Sequence, residues 1–192
     1  MITNKGFCAT AFLLAETAKQ LNFKMDDLLK IAVDEALKEH FPHITSLTPQ
    51  QFQIMISLLI DRKDTFAILP TGHGKSLPYQ IAPSVAKKLV ALGPSDDFAI
   101  FNSRDVVIVI SPLLSIMDVQ KSTLNAAGIR ACCLHDENVT QSDILNYRFN
   151  VIFGSPEAWI INETWNKMLH SDAYQERVLL LVADEAHCIP KW

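Results

Sequence analysis

The stretch Leu69-Pro70-Thr71-Gly72-His73-Gly74-Lys75-Ser76 constrains this chain more than any other. It follows the apolar run Thr65-Phe66-Ala67-Ile68-Leu69, which predicts a buried strand, and it precedes a segment that can open a helix. Strand, glycine-containing loop and helix form the context a phosphate-binding loop requires. Gly72 and Gly74 let the backbone turn its N–H groups inward around an anion with no Cβ in the way. The helix N-terminus adds partial positive charge at the same point. Thr71, Gly72, His73, Gly74, Lys75 and Ser76 are therefore the candidate nucleotide-binding residues. Lys75 is placed to reach the β- and γ-phosphates, and the Ser76 hydroxyl to reach Mg2+. Leu69 stands where the pattern G-x-x-x-x-G-K-[ST] begins with glycine. Taken alone, the stretch also reads as a glycine turn carrying a surface lysine.

A second stretch weighs against that plainer reading. Val178-Leu179-Leu180-Leu181-Val182-Ala183 is continuously apolar, as expected of a strand covered on both faces. It runs into Asp184-Glu185-Ala186-His187. A carboxylate at the end of a buried strand is placed to hold Mg2+, which makes Asp184 a candidate metal residue beside Ser76. Glu185 is placed to orient and deprotonate an attacking water. An acidic loop after a strand is common, but two phosphate-site motifs, each after a predicted strand, make that explanation weak.

The remaining chain supplies the frame for these motifs. Residues 7–21 and 25–39 predict two helices, the second with Leu28, Leu29, Ala32, Val33, Ala36 and Leu37 on one face. Thr48-Pro49-Gln50-Gln51 predicts a capped helix start with Gln51 reaching back as the capping-box side chain. Residues 76–92 predict a helix that Pro83 should kink or interrupt. Strands are expected at 106–110, 129–134, 150–153 and 178–183, and helices at 111–127, 141–147 and 155–170. Ser111-Pro112 and Ser155-Pro156 are read as cap-plus-proline starts. Apolar strands alternating with helices mean an α/β fold with a parallel sheet and helices on both faces. Every motif falls beyond a strand's carboxyl end, where ligands bind in such sheets.

Composition narrows the partners. Charged residues make up 20% of the 192 and the formal net charge is −4, which argues against strongly electrostatic nucleic-acid binding. No apolar run is long enough for a membrane span, and no secretory leader is expected. Cys132 and Cys133 adjoin while Cys8 and Cys188 stand apart, without zinc-ligand spacing, so a reducing, intracellular compartment is expected. The six histidines are scattered and predict no metal cluster.

Five blocks now stand in order: residues 47–51, 69–80, 106–120, 153–157 and 184–192. Together they resemble the first motor domain, a RecA-like P-loop NTPase fold, of the RecQ-like DNA helicases of superfamily two. Tyr79-Gln80 after the loop, Ser111-Pro112-Leu113-Leu114-Ser115-Ile116-Met117 with Gln120, and Cys188-Ile189 after the histidine carry the likeness to that branch. The likeness covers residues 41–192 and leaves 1–40 as a helical N-terminal extension.

The resemblance implies ATP and Mg2+ as cofactors, single-stranded or partly duplex DNA as partner, and 3′-to-5′ translocation with unwinding. It implies that Gln51 reads adenine, that Lys75 and Glu185 serve hydrolysis, and that His187 couples the nucleotide site to DNA. It further implies that Ser111, Pro112, Ser155 and Pro156 touch the DNA backbone, and that a eukaryotic source would place the protein in the nucleus. The chain departs from the family's pattern at several points. Ile44 and Thr48 replace an aromatic residue and an arginine, His73 replaces a glycine, Pro78 a cysteine and Val119 an acidic residue. One residue is inserted between Gln51 and Asp64. After Trp192 the family continues into an aromatic-rich loop and a second motor domain, which supplies an arginine finger. A chain ending at Trp192 is therefore expected to hydrolyse ATP slowly and unwind nothing alone. The rival readings are a non-catalytic ATP- or DNA-binding regulator and an RNA helicase of the same superfamily.

Overall fold

The computed structural model describes residues 25–70, 72–92, 98–101 and 105–186. The helix expected over 7–21 lies outside them, as do Thr71, His187, Cys8 and Cys188.

Four strands form one parallel sheet in the order β2-β3-β1-β4. They are β1 (Val106–Ile110), β2 (Ala131–Cys133), β3 (Val151–Gly154) and β4 (Val178–Ala183). Val107 pairs with Val151 and Ile110 with Gly154; on the other side of β1, Val109 pairs with Val182 and Ile110 with Ala183. The register between β1 and β4 shifts once, between Val106 and Val107.

The twofold alternation of strand side chains divides the core into two layers. Val107, Val109, Val151, Phe153, Ala131 and Cys133 face a helical layer built by α1 (residues 25–40), α2 (Pro49–Met55), α3 (Leu77–Leu92) and α4 (Leu114–Ala126). Val106, Ile108, Cys132 and Ile152 face the shorter helices α5 (Gln141–Leu145), α6 (Pro156–Ile160), α7 (Glu163–Leu169) and α8 (Asp172–Gln175). Both faces of β1, β2 and β3 are covered, as expected for continuously apolar parallel strands, whereas no residue of β4 is buried, against the expectation for Val178–Ala183. Among the described residues, no helix is long and apolar enough to cross a membrane.

Helix α1 is an integral part of the first layer. Leu29, Ala32, Val33, Ala36 and Leu37 are buried in the shared core. At its end, a His40 ring nitrogen bonds the Ala127 carbonyl at 2.8 Å and Lys88 pairs with Glu39 at 2.7 Å.

Several expectations need correction. Residues 65–69 form no strand: they carry no regular structure and are largely exposed, with Phe66 77% and Ile68 83% accessible. No β4-edge partner holds them, so an apolar run alone does not make a strand. Pro83 lies inside a continuous α3; it is buried among ten buried residues of that helix, whose packing outweighs the lost backbone bond. Helix α4 begins at Leu114 with no side-chain cap, so Ser111-Pro112 is not a helix start. The single helix expected over 155–170 is two, divided where Asn162 Oδ1 accepts the N–H groups of Thr164 and Trp165 and caps α7. In the stretch where the resemblance implies an inserted residue, the backbone departs from the α-helix. Ile56–Ile60 is a π-helical turn continuing from α2, and such a turn holds one more residue than an α-turn.

Candidate nucleotide-binding site

The loop before α3 is shaped by its glycines. Gly72 has φ +82° and Gly74 φ +62°, a region side chains rarely adopt. A Cβ on Gly74 would sit 2.8 Å from the Gln51 amide nitrogen, so this position also demands the missing side chain. His73, which replaces a glycine of the family pattern, is not among the residues with positive φ, so the substitution costs no backbone strain. The backbone N–H groups of Gly74, Lys75 and Ser76 make no hydrogen bond among the described residues, while the Gly74 carbonyl accepts the Leu77 N–H at 3.2 Å. Three donors are thus left at the mouth of a 16-residue helix.

Gln51 is tied to this loop. Its Oε1 accepts the Thr48 N–H at 2.9 Å, and its N–H closes the capping box with Thr48 Oγ1. Its amide nitrogen donates to the carbonyls of His73 at 3.1 Å and Gly74 at 3.0 Å. The capping role is therefore formed, and a second role that the sequence did not reveal accompanies it: the side chain braces the loop from behind. It is 5% accessible and its amide hydrogens are committed.

Lys75, Tyr79, Asp184 and Glu185 line one open cleft of about 750 Å3, which continues as an apolar slot between β4 and residues 62–69. Lys75 is half-buried and makes no ion pair among the described residues. Asp184 is held at the end of β4 by its N–H, which donates to the Ile110 carbonyl at 2.9 Å. Its Oδ1 accepts the Glu185 N–H at 3.1 Å, and its Oδ2 accepts the Tyr79 hydroxyl at 3.0 Å. Burial first, then the Asp184 charge, pushes the Tyr79 hydroxyl far above its ordinary pKa and keeps it a neutral donor. Glu185 adopts a left-handed backbone at φ +54°, uncommon for a residue with a side chain and frequent where function imposes strain.

The donors suit the groups they would hold. Hydroxyl and carboxylate oxygens from Ser76 and Asp184 are the hard ligands Mg2+ prefers, and an ammonium beside a run of backbone N–H groups at a helix start suits a polyphosphate.

The four residues expected on a nucleic-acid surface differ among themselves. Ser111 is 1% accessible, its N–H donates to the Gly154 carbonyl at 3.1 Å, and its hydroxyl has no partner among the described residues. Pro112 is half-buried, and the exposed groups beside it are Leu113 and Leu114. Ser155 does cap its helix, accepting the Ala158 N–H at 3.2 Å, with Pro156 buried in the first turn.

One grouping runs against the expectation that no histidine shares a metal-capable cluster. Ligand atoms of Asp118, Cys133 and His135 lie within 4.8 Å of one another, because α4 brings Asp118 onto the end of β2. The Lys121 ammonium already neutralises that corner, 3.1 Å from Asp118 and 3.2 Å from Asp136. Burial pushes the Cys133 thiol up to about 12, so it stays protonated.

Comparison with known proteins bears on this site. The DEAD/DEAH box helicase family model matches residues 48–192. The bifunctional 3'-5' exonuclease/ATP-dependent helicase WRN of Mus musculus is 31% identical over 159 residues, 81% of this chain and 10% of its own length. The ATP-dependent DNA helicase RecQ of Synechocystis is 26% identical over 144 residues, 72% of this chain and 26% of its own. A putative ATP-dependent RNA helicase of Acanthamoeba polyphaga mimivirus is 32% identical over 145 residues, 73% of this chain and 23% of its own. The chain thus spans about a tenth to a quarter of these relatives.

Proposed function

Because this chain belongs to the DEAD/DEAH box helicases and carries the N-terminal motor domain of their RecQ-like branch, we propose that it binds Mg-ATP in the cleft between Lys75 and Asp184. In the whole enzyme this binding would drive 3′-to-5′ translocation on single-stranded DNA. The observation that carries the reading is the convergence of Lys75, Asp184 and Glu185 on one cleft, with the Tyr79 hydroxyl bonded to Asp184 in the same cleft.

Each residue has a task that its placement supports. The N–H groups of Gly74, Lys75 and Ser76 would donate to phosphate oxygens, and the Lys75 ammonium would offset their charge. Ser76 and Asp184 would hold Mg2+, which when bound neutralises charge on the β- and γ-phosphates. Glu185 accepts a proton from the attacking water. Gln51 fixes the loop and reaches adenine only by releasing one of its two carbonyl contacts. Thr71 and His187 keep the roles the family pattern implies, loop contact and coupling to DNA. Ser155 and Pro156 present a helix N-terminus to the DNA backbone, and Ser111 and Pro112 contribute through the chain around them, since the Ser111 side chain is buried.

A fluorescent ATP analogue titrated into the purified chain tests the reading. Lys75→Ala should abolish binding, and unchanged affinity would refute the assignment. Glu185→Gln should retain binding and lower single-turnover hydrolysis at least a hundredfold. Equal hydrolysis by the two proteins would favour the non-catalytic regulator. Competition between single-stranded DNA and RNA decides between partners, a choice the mimivirus relative's name makes necessary.

A further inference from the structure

The Asp184 carboxylate is held by two side chains that have so far been given no part in holding nucleotide or Mg2+. Tyr79, from the first turn of α3, donates its hydroxyl at 3.0 Å; Gln120, midway along α4, donates its amide at 3.4 Å. Both approach the same oxygen, Oδ2, while Oδ1 receives the Glu185 N–H. The two donors also touch each other, with the Tyr79 hydroxyl 2.9 Å from Gln120 Oε1, and Gln80 reaches that same oxygen at 3.4 Å. Tyr79 is 6% accessible, so neither its ring nor its hydroxyl can swing away to water.

Resting on the proposed nucleotide site, we infer that Tyr79 and Gln120 are positioning residues that orient the Asp184 carboxylate for Mg2+. An unassisted aspartate at a strand end has free rotation about its terminal torsion. Donors on one oxygen fix that rotation and leave the remaining lone pairs aimed at the cleft. The same arrangement links the helix that follows the phosphate loop to α4, at whose start the exposed Leu113 and Leu114 follow the block expected to meet DNA. A phenol has one proton and here two acceptors, so a small displacement of α4 decides how firmly it is given to the carboxylate.

The test is a Mg2+ titration of the chain bound to a fluorescent ATP analogue, repeated in EDTA. Tyr79→Phe deletes only the hydroxyl and Gln120→Leu only the amide. The Mg2+ concentration at half-saturation should rise about tenfold for Tyr79→Phe and by a smaller factor for Gln120→Leu, as loss of groups supporting metal ligands generally does. Because both act on one oxygen, the double variant should fall short of the product of the single effects. Affinity in EDTA should stay within twofold of the parent. Half-saturation within twofold of the parent for Tyr79→Phe would overturn the positioning role while leaving the nucleotide site standing. Equal losses with Mg2+ and in EDTA would also overturn it, marking a structural effect. An unmodified chain that binds no analogue at all would instead sink the nucleotide reading and the positioning role with it.

Discussion

The inner strands and the outer edge of the sheet have the same kind of sequence and different surroundings. Val106–Ile110 and Val151–Gly154 are each flanked or covered on all sides, and every residue of β3 is buried. Val178–Ala183 is as apolar, yet none of its residues is buried and Leu181 is 64% accessible. Residues 65–69 go further and form no strand pairing among the described residues. The difference teaches that an apolar run encodes demand for burial, whereas strand formation needs a neighbour to complete the backbone bonds. The candidate site stands where the two regimes meet: Asp184 ends the half-covered strand, and the loop of Lys75 follows the uncovered segment.

The sharpest way to break this contrast is truncation of one large side chain on each side. Phe153→Ala, at a fully buried position, should cost about 3–5 kcal/mol in urea unfolding. Leu181→Ala and Ile68→Ala, both largely exposed, should cost less than about 1 kcal/mol. If Leu181→Ala destabilises as strongly as Phe153→Ala, the edge is covered in solution and the contrast is wrong.

A smaller effect isolates what holds β4 to the sheet. The Arg177 carbonyl accepts the N–H groups of both Asp105 and Val106 at 3.1 Å. Its guanidinium grips Asp105 Oδ1 through Nη2 at 2.7 Å and Nε at 3.1 Å, and lies 4.3 Å from the Tyr147 ring centre. The pair is about a third exposed, so solvent screens it. Asp105→Ala should cost about 1 kcal/mol, with hydrogen-exchange protection lost in β4 before β1 or β3. Uniform loss across the sheet would show that β4 is not separately secured.

The same contrast explains what could be read from the chain alone. The capping box at Thr48 and Gln51, the Ser155 cap and the bounds of β1 and β4 follow from local rules, and the structure has them. The strand at 65–69 was wrong because its apolarity carries no information about a missing neighbour. The Ser111-Pro112 start failed because the pair resembles the Ser155-Pro156 cap locally, while the sheet draws Ser111 inward through its bond to Gly154. The bracing of the loop by Gln51 and the grip on Asp184 were invisible for another reason: their partners lie 22 to 105 residues away. Motif spacing placed Lys75 and Asp184 at one rim, but only the folded chain shows which side chains steady them.

The weakest expected effect concerns acid, and it lies on the closed side of the comparison. The Lys121 ammonium, helped by His135, holds Asp118 below the usual carboxylate range. The Asn138 N–H and then Lys121 do the same for Asp136, and Thr140 with Arg148 for Asp143. All three lie around β2, far along the sheet from the open edge. A carboxylate depressed in the folded state stabilises it above the unfolded pKa, and that contribution disappears as pH falls through the folded value. The urea midpoint should therefore be level from neutrality to about pH 5 and decline below about pH 4. Because Asp118 is exposed and Asp136 and Asp143 are only half-buried, added salt should shrink the decline. Lys121→Met should flatten it as well, by releasing Asp118 and Asp136 together. Asp26 runs the other way, raised by burial and then by Asp61 and Asp27, so its protonation offsets a little of the loss. A decline that Lys121→Met leaves untouched would place the acid-sensitive contacts somewhere other than the closed end of the sheet.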